Sequence, residues 1–330
     1  MSRRVSSFAV LLAVASCGFT DPAPHTNWGE WGEEDQIGTL NYITPALTVQ
    51  AAGAVEAGRV YSLAIPLGDY QPARGPRLQH FMLSTGQAVD SRPHWIGDWL
   101  SIPTHDTTHW AGLGHVFGEG RLYNGYDAPT NLTAAGALKN GIHLAAGNLV
   151  GRGVLLDVAR YKQVERLEAG YVVTGRDIRE TAAQQNLALR RGDVVLIRTG
   201  WLGQFFEENA EPFWTFSWTE DQVRDEPGIG WEVSQWLKEM KAAAVAVDNL
   251  SVEAVPRDPD AAAGIRHPQF EWPVHYELIR NQGMMLGALF QLDELAEACA
   301  RDRRYDFLFV GPPYRLTHGT GSPVNPLAIR

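Results

Sequence analysis

The chain has 330 residues, 45% of them hydrophobic, and a formal net charge of −10 from 28 Lys and Arg against 38 Asp and Glu. This hydrophobic content excludes a wholly disordered chain, and the acidic balance argues against a nucleic-acid-binding surface, which needs clustered cations to neutralise phosphates. No apolar stretch reaches the roughly 18–20 residues that a membrane-spanning helix requires, which excludes a polytopic membrane protein.

The first 22 residues have the layout of an export signal. Arg3 and Arg4 give a basic start, residues 8–15 form a short apolar run, and small residues follow. The segment ending at Cys17 resembles the lipobox of bacterial lipoproteins, which implies a lipid anchor at that cysteine and an exported protein. A misassigned start codon, or a cytosolic chain whose first helix packs on the core, are the alternatives. Residues 23–330 are predicted to form one globular domain.

Helical and extended patterns alternate along this domain. Thr44 followed by Pro45 predicts a helix over 46–57, because threonine caps helices and proline fits their first turn. Further helices are predicted over 174–186, 231–241 and 292–301, and strands over 59–66, 153–158, 194–198, 242–247 and 305–310. This alternation predicts an α/β fold with a mixed sheet. Neither GxGxxG after a strand nor GxxxxGK[ST] occurs, which argues against the doubly wound nucleotide-binding folds.

Three of the ten histidines, His105, His109 and His115, fall in one short segment. Gly112 and Gly114 break any helix there, so the segment is predicted to be a strand end that runs into a loop. His105 and His109 could reach one metal ion only if the backbone bends between them, and imidazole suits zinc, manganese or iron. Hydrogen-bonding surface histidines are the alternative, but three at this spacing favour a functional site.

This segment, H-D-T-T-H-W-A-G-L-G-H, resembles the signature HxGTHxDxPxH of the putative cyclase family, which reads HWD(G/A)LxH in one branch. Matching motifs follow in the family's order over residues 28–330, among them Trp28-Gly29, 122–125 and 321–326. The family includes bacterial kynurenine formamidase and isatin hydrolase. The resemblance implies a swivelling β/β/α fold, homodimers or homotetramers, and metal-dependent opening of small aromatic or cyclic amides.

The resemblance also implies roles for individual histidines. His105, His109 and, near the C-terminus, His275 correspond to metal ligands, which would hold one zinc or manganese ion. His115 corresponds to the catalytic acid/base, which takes a proton from water and passes it to the leaving nitrogen. A three-histidine zinc site with an open fourth position is chemically sufficient for hydrolysis.

Two positions depart from the family, and both affect the metal. The family's carboxylate ligands fall on Ala111 and Ala288, and alanine cannot bind a metal ion. Either the site has changed its metal chemistry, or it has lost its metal. Asp106 could restore one negative charge, although in an extended segment it would point away from its neighbour His105.

Aromatic and acidic residues near these motifs are further candidates for the site. Trp28 and Trp110 are predicted to bind a flat, ring-bearing substrate, with core packing as the alternative for each. Asp248 and Glu253 follow a predicted strand, where a carboxylate either faces a pocket or orients loops by hydrogen bonds. Both interpretations of this pair stay open.

Three functions from different classes are compatible with these residues. The first is a metal-dependent hydrolase that opens a cyclic amide, an N-formyl arylamine or a lactone through a metal-bound water. The second is a lyase or dehydratase that works without a metal, with His115 as the base. The third is a non-catalytic binding protein derived from the family. The family resemblance supports the first, whereas Ala111 and Ala288 favour the other two.

Overall fold

The computed structural model describes residues 26–67, 78–83, 94–206, 225–255 and 272–330, so the predicted export signal and Cys17 lie outside the described residues. Within these ranges the α-helices are α1 (Pro45–Ala52), α2 (Ala128–Asn131), α3 (Val158–Tyr161), α4 (Gly175–Gln184), α5 (Trp231–Glu239), α6 (Pro273–His275) and α7 (Asp293–Asp302). Short 3-10 helices span Gly38–Tyr42, Tyr123–Gly125, Ile142–Gly147 and Trp201–Phe206, and a π-helix spans Tyr276–Asn281. No helix in the described ranges has both the length and the apolar character to cross a membrane.

Two of these helices begin within one residue of their predicted starts, because their caps are formed. The Thr44 hydroxyl accepts a hydrogen bond from the Leu47 N–H at 3.3 Å, and α1 starts at the next residue, Pro45. At α4, Thr174 and Asp177 satisfy each other's backbone N–H groups at 3.1 and 2.9 Å, which is a capping box. Helix α1 ends at Ala52 and is therefore shorter than predicted.

A nine-stranded mixed sheet organises the domain. Its order is β1-β15-β13-β7-β9-β11-β12-β4-β14, in which β7, β9, β11 and β12 run parallel and the other pairs are antiparallel. These strands are β1 (Val60–Ser62), β4 (His109–Ala111), β7 (Val150–Asp157), β9 (Val194–Arg198), β11 (Ala244–Val247), β12 (Met285–Ala288), β13 (Asp306–Val310), β14 (Gly321–Pro323) and β15 (Leu327–Ile329). The predicted α/β class with a mixed sheet is confirmed.

Three two-stranded ribbons complete the described strands. They pair β2 (Gln79–Met82) with β3 (Asp98–Ser101), β5 (Leu132–Thr133) with β6 (Gly136–Ala137), and β8 (Val172–Val173) with β10 (Gly228–Ile229).

The centre of the sheet lies in the hydrophobic core. Every residue of β9, β11 and β12 is buried, as expected for parallel strands covered on both faces. Strand β4, which starts at His109, lies between β12 and β14 near one end of the sheet. The fold thereby places the histidine-rich segment beside the C-terminal end of β12, the last of the four parallel strands.

Candidate active site

The two faces of β4 have different surroundings, because successive side chains of a strand point to opposite sides. His109 and Ala111 line a cavity, whereas Trp110 between them is 0% exposed. The Trp110 Nε1–H donates to the Gly311 carbonyl at 2.8 Å, and its ring packs edge-on against Phe290 and Phe309. Trp110 therefore packs in the core, the alternative given for it, and does not line this cavity.

The cavity has a volume of about 540 Å³ and gathers the residues that the sequence singled out. All four histidines of the predicted site and both alanines line it. The remaining lining residues, which the sequence analysis did not assign to a pocket, are mostly apolar: Val116, Phe117, Leu250, Ser251, Val252, Trp272 and Leu286, with Asp106 at the same wall. Most of them come from loops that follow β4 and β11 or precede α6, whereas Asp106 precedes β4 and Leu286 belongs to β12. No local pattern in the sequence could therefore join them.

The histidine rings lie close to one another. The ring centroids of His105 and His109 are 5.0 Å apart, and those of His105 and His115 are 4.3 Å apart with the planes nearly parallel. The His275 ring lies 6.4 Å from that of His115. A turn between residues 104 and 108 supplies the bend that brings His105 back toward His109.

Hydrogen bonds fix the tautomers of two of these rings. The His109 Nδ1 lies 2.7 Å from the Thr107 carbonyl oxygen, which can only accept, so Nδ1 carries the proton and Nε2 a lone pair. The His275 Nδ1 lies 2.5 Å from a carboxylate oxygen of Glu253, with the same consequence. The His105 Nδ1 pairs with the Thr104 hydroxyl at 3.0 Å, and its buried Nε2 has no partner among the described residues.

Burial keeps the imidazoles of His105, His109 and His115 neutral at physiological pH. It lowers the pKa of His109 to about 4 and that of His105 to about 2, and repulsion between the neighbouring histidines adds to the second shift. The pKa of His115 is lowered to about 3 for the same reasons.

Two other candidates lie away from the cavity lining. The Trp28 Nε1–H donates to the Arg280 carbonyl at 2.9 Å, and the Arg280 guanidinium lies 4.5 Å from the Trp28 ring centroid. Trp28 is not among the residues that line this cavity, and the substrate contact predicted for it stays a prediction. Asp248 is buried and accepts hydrogen bonds from the backbone N–H groups of Thr199 and Gly200, which means that it orients loops.

The donor set does not fit the complete metal site that the family resemblance implies. Both carboxylate positions are alanine. Across the described ranges, no group of three or more His, Cys, Asp or Glu side chains is arranged to hold a metal ion. The zinc or manganese ion expected at His105, His109 and His275 therefore stays a prediction.

The fold and the site together define a class of protein. It is an α/β domain with a mixed sheet that carries a histidine-lined cavity at the end of β4. The sequence profile described as "Putative cyclase" matches residues 25–254. A crystal structure described as that of a novel cyclase is 33% identical, with a TM-score of 0.79, and covers 93% of this chain and 100% of that one. The chain belongs to the putative cyclase family.

More distant solved structures share the fold. Isatin hydrolase A from Ralstonia solanacearum is 21% identical, with a TM-score of 0.60, over 87% of this chain and 97% of that one. Isatin hydrolase A from Labrenzia aggregata, bound to benzyl benzoate, is 18% identical with a TM-score of 0.56, over 86% and 96%. A comparison with curated proteins finds no match.

Proposed function

We propose that this chain is a hydrolase of its family that opens a small cyclic amide, an N-formyl arylamine or an aromatic lactone. The observation that carries the proposal is the convergence of four imidazoles on one cavity with apolar walls. Phe117 and Trp272 offer aromatic surface to a ring, and a volume of about 540 Å³ suits a small molecule. Solved isatin hydrolases with this fold add a relevant bond type, an amide within a fused aromatic ring system.

The neutral imidazoles supply general acid–base catalysis for this reaction. A lone pair on Nε2 takes a proton from water while the water oxygen attacks the acyl carbon, and the resulting imidazolium returns the proton to the leaving nitrogen or oxygen. The bond from the acyl carbon to that atom breaks, and the products are a carboxylic acid and an amine or alcohol. His105 can donate its Nε2–H to the oxyanion if its Nδ1 accepts the Thr104 hydroxyl.

Metal dependence is a separate part of the proposal. The three histidines predicted as ligands offer neutral nitrogen donors, and a bound zinc or manganese ion would activate water more strongly than imidazole does. A metal-free lyase or dehydratase is the second candidate, favoured by Ala111 and Ala288 at the carboxylate positions. The same bases would then remove a proton from carbon instead of from water.

One set of assays separates these functions. Purified protein, treated with chelator or supplemented with zinc or manganese, is incubated with isatin, formanilide and dihydrocoumarin, and ring opening or deformylation is followed by absorbance and chromatography. We expect hydrolysis of at least one probe, lost in His109→Gln and His115→Gln and retained in His143→Gln, a histidine outside the cavity. No hydrolysis by the folded protein in any metal condition would exclude the hydrolase proposal for these bond types.

Location and assembly are also proposals, supported by sequence alone. The basic and apolar start favours export with a lipid anchor at Cys17, and the family resemblance favours a homodimer or homotetramer. Membrane fractionation of wild type and Cys17→Ser tests the location. Light scattering of the purified protein tests the assembly.

A further inference from the structure

We propose that the ribbon of β2 and β3 is the surface through which this chain binds a second copy of itself. The proposal names a surface for the assembly proposed above, and it is independent of the hydrolase function. Every residue of both strands is exposed. Within the described ranges, the two strands pair with each other and with no further strand. A two-stranded ribbon is marginally stable in water unless other structure packs against it, so this one needs a cover.

Large apolar side chains make up much of the ribbon and of residues 94–97, which lead into β3. Trp95 is 90% exposed, Trp99 62% and Phe81 54%. Four further apolar side chains are 48–69% exposed: Met82, Leu83, Ile96 and Leu100. Single exposed apolar residues are normal in soluble proteins, whereas a contiguous group of this size marks an interaction surface.

The strand pairing gathers part of this surface on one face. Phe81 lies directly opposite Trp99, and directly opposed side chains point to the same side of a ribbon. The Leu83 N–H donates to the Gly97 carbonyl at 2.8 Å, which continues the pairing by one residue and places Leu83 on the same face as Phe81. An aromatic pair and a leucine thus form an apolar face that their own chain leaves uncovered.

The exposed apolar area is close to what a stable dimer requires. A fully buried aromatic side chain removes about 150–250 Å² from water, so the exposed fractions of the three ribbon aromatics correspond to about 300–500 Å². The four aliphatic side chains add to this area. Stable interfaces bury about 800 Å² on each partner, whereas the largest apolar patch of a monomeric protein measures about 300–600 Å². The ribbon therefore supplies the greater part of an interface of standard size.

Charge favours a second copy over a membrane surface as the partner. Residues 78–83 and 94–101 contain no Lys or Arg, the residues by which proteins bind anionic lipids, and the whole chain has a net charge of −10. The one carboxylate in these ranges, Asp98, lies 2.7 Å from the His80 Nε2. Two acidic chains can therefore approach at the ribbon with little repulsion. Interfaces between identical subunits are likewise apolar and poor in charged residues.

The same face can serve both sides of the contact. A two-fold axis brings identical patches together, and this is the commonest arrangement of identical subunits. Residues 102–104 join β3 to His105, and the chain from Ser101 to His105 spans at most about 14 Å. The interface therefore lies close to the loop that carries His105 into the cavity.

The test uses the full chain in a Cys17→Ser background, which removes the predicted lipid anchor from the measurement. Phe81→Thr with Leu83→Thr removes apolar area from the ribbon, keeps residues that favour strands, and leaves both ribbon tryptophans in place as reporters. Val49→Thr with Tyr314→Thr is the matched control, since these side chains are 73% and 69% exposed and lie outside the ribbon. Circular dichroism and urea unfolding establish that each variant is folded.

Two readouts are measured over a range of protein concentrations. Analytical ultracentrifugation gives the Kd of the dimer, which we expect to rise at least about 100-fold in the ribbon variant and to stay within about twofold in the control. Hydroxyl-radical labelling, read by peptide mass spectrometry, compares Trp95 and Trp99 with Trp110, which is 0% exposed. In the associated wild type we expect both ribbon tryptophans to be labelled nearly as slowly as Trp110, and in the monomeric ribbon variant we expect them to be labelled rapidly.

The possible failures are distinguishable. A wild type that is monomeric at every concentration overturns the proposal, and flotation with vesicles of phosphatidylcholine and phosphatidylglycerol then shows whether the ribbon binds a membrane instead. An unchanged Kd in the folded ribbon variant, or rapid labelling of Trp95 and Trp99 in the wild-type dimer, overturns the role of the ribbon while the assembly itself stands. The labelling of wild type needs no variant, so it decides the proposal even if the substitutions prevent folding. Hydrolysis of the probes is measured separately, and the hydrolase function depends on none of these outcomes.

Discussion

Ala288 lies directly opposite His109 on the neighbouring antiparallel strand, and both side chains line the cavity. On the same pair of strands, Ala111 lies opposite Leu286 and also lines the cavity. Directly opposed residues on antiparallel strands have Cβ atoms about 4.5–5.5 Å apart. A carboxylate at either alanine position would therefore lie within reach of the His109 ring.

Carboxylates at the two alanine positions should tighten metal binding. The fold already holds the histidines at the cavity, so Ala111→Asp with Ala288→Glu adds two anionic ligands beside them. We expect the affinity for zinc or manganese to rise at least about tenfold, which corresponds to about 1.4 kcal/mol. Isothermal titration of the metal into chelator-treated protein measures the change.

The control for this pair is Ala111→Asn with Ala288→Gln, which adds similar volume without charge. It should leave the metal affinity close to that of wild type. If the two folded double variants, one charged and one neutral, bind the metal equally well, then the residues around the metal ligands have diverged as well. The metal-free function would then be the better interpretation.

Replacement of Trp110 should lower stability rather than substrate affinity. In Trp110→Phe the Gly311 carbonyl loses its donor and the core loses part of its packing. An unsatisfied buried polar group costs about 1–3 kcal/mol of unfolding free energy. Urea unfolding measures this cost, and KM for the best probe should stay within about twofold of wild type. A large rise in KM at unchanged stability would return Trp110 to the substrate site.

Asp248 should contribute a pH dependence of stability with an unusual sign. Burial raises its pKa to about 6, against the hydrogen bonds from Thr199 and the charge of Arg198, and with a smaller contribution from Asp293. The pKa of Asp248 is higher in the folded than in the unfolded protein. Its contribution to the unfolding free energy is therefore fully present below the unfolded pKa and is lost as the pH rises through about 6. The loss amounts to about 3 kcal/mol.

The measurement compares wild type with Asp248→Asn, which does not titrate. The unfolding free energy of the variant relative to wild type should rise between about pH 4 and pH 7, whatever constant offset the amide introduces. Other titrating groups are common to both proteins and cancel in the difference. A difference that is flat over this range would mean that Asp248 stays ionised in the fold.

Cys299 should be unreactive in the folded protein. It is 0% exposed, and burial raises the pKa of its thiol to about 12, so the reactive thiolate is scarce near neutral pH. Iodoacetamide should therefore modify Cys299 only after denaturation, as read by peptide mass spectrometry. Rapid alkylation under native conditions would show that α7 opens locally.

The sequence predicts most of the elements because their signals are local. The strand over 194–198 is observed with the predicted bounds, and the capped helix after Thr174 and the strand ending at Val310 differ by a residue or two. Apolar runs and helix caps act within one element, so a single sequence suffices to find them. The insertion of β4 between β12 and β14 depends on pairing between distant residues and has no local signal.

In the candidate site, too, local signals are predictable from the sequence and contacts between distant residues are not. The spacing of His105, His109 and His115 predicts that they act together, and all three line one cavity. Strand alternation predicts that Trp110 faces away from His109 and Ala111, whereas its aromatic character alone favours a substrate contact. The contact of Glu253 with His275 depends on a strained turn at Val252, a conformation that valine does not signal.

The position of β4 also determines when the cavity can form. A ribosome completes this strand early, but its two partners come from residues 285–288 and 321–323, close to the end of the chain. Until those residues emerge, β4 has unpaired edges and Trp110 lacks its packing partners, a situation that favours chaperone binding or aggregation. A nascent or proteolysed chain that stops before residue 285 would therefore lack His109's neighbouring strand and one wall of the cavity, however well its first half had folded.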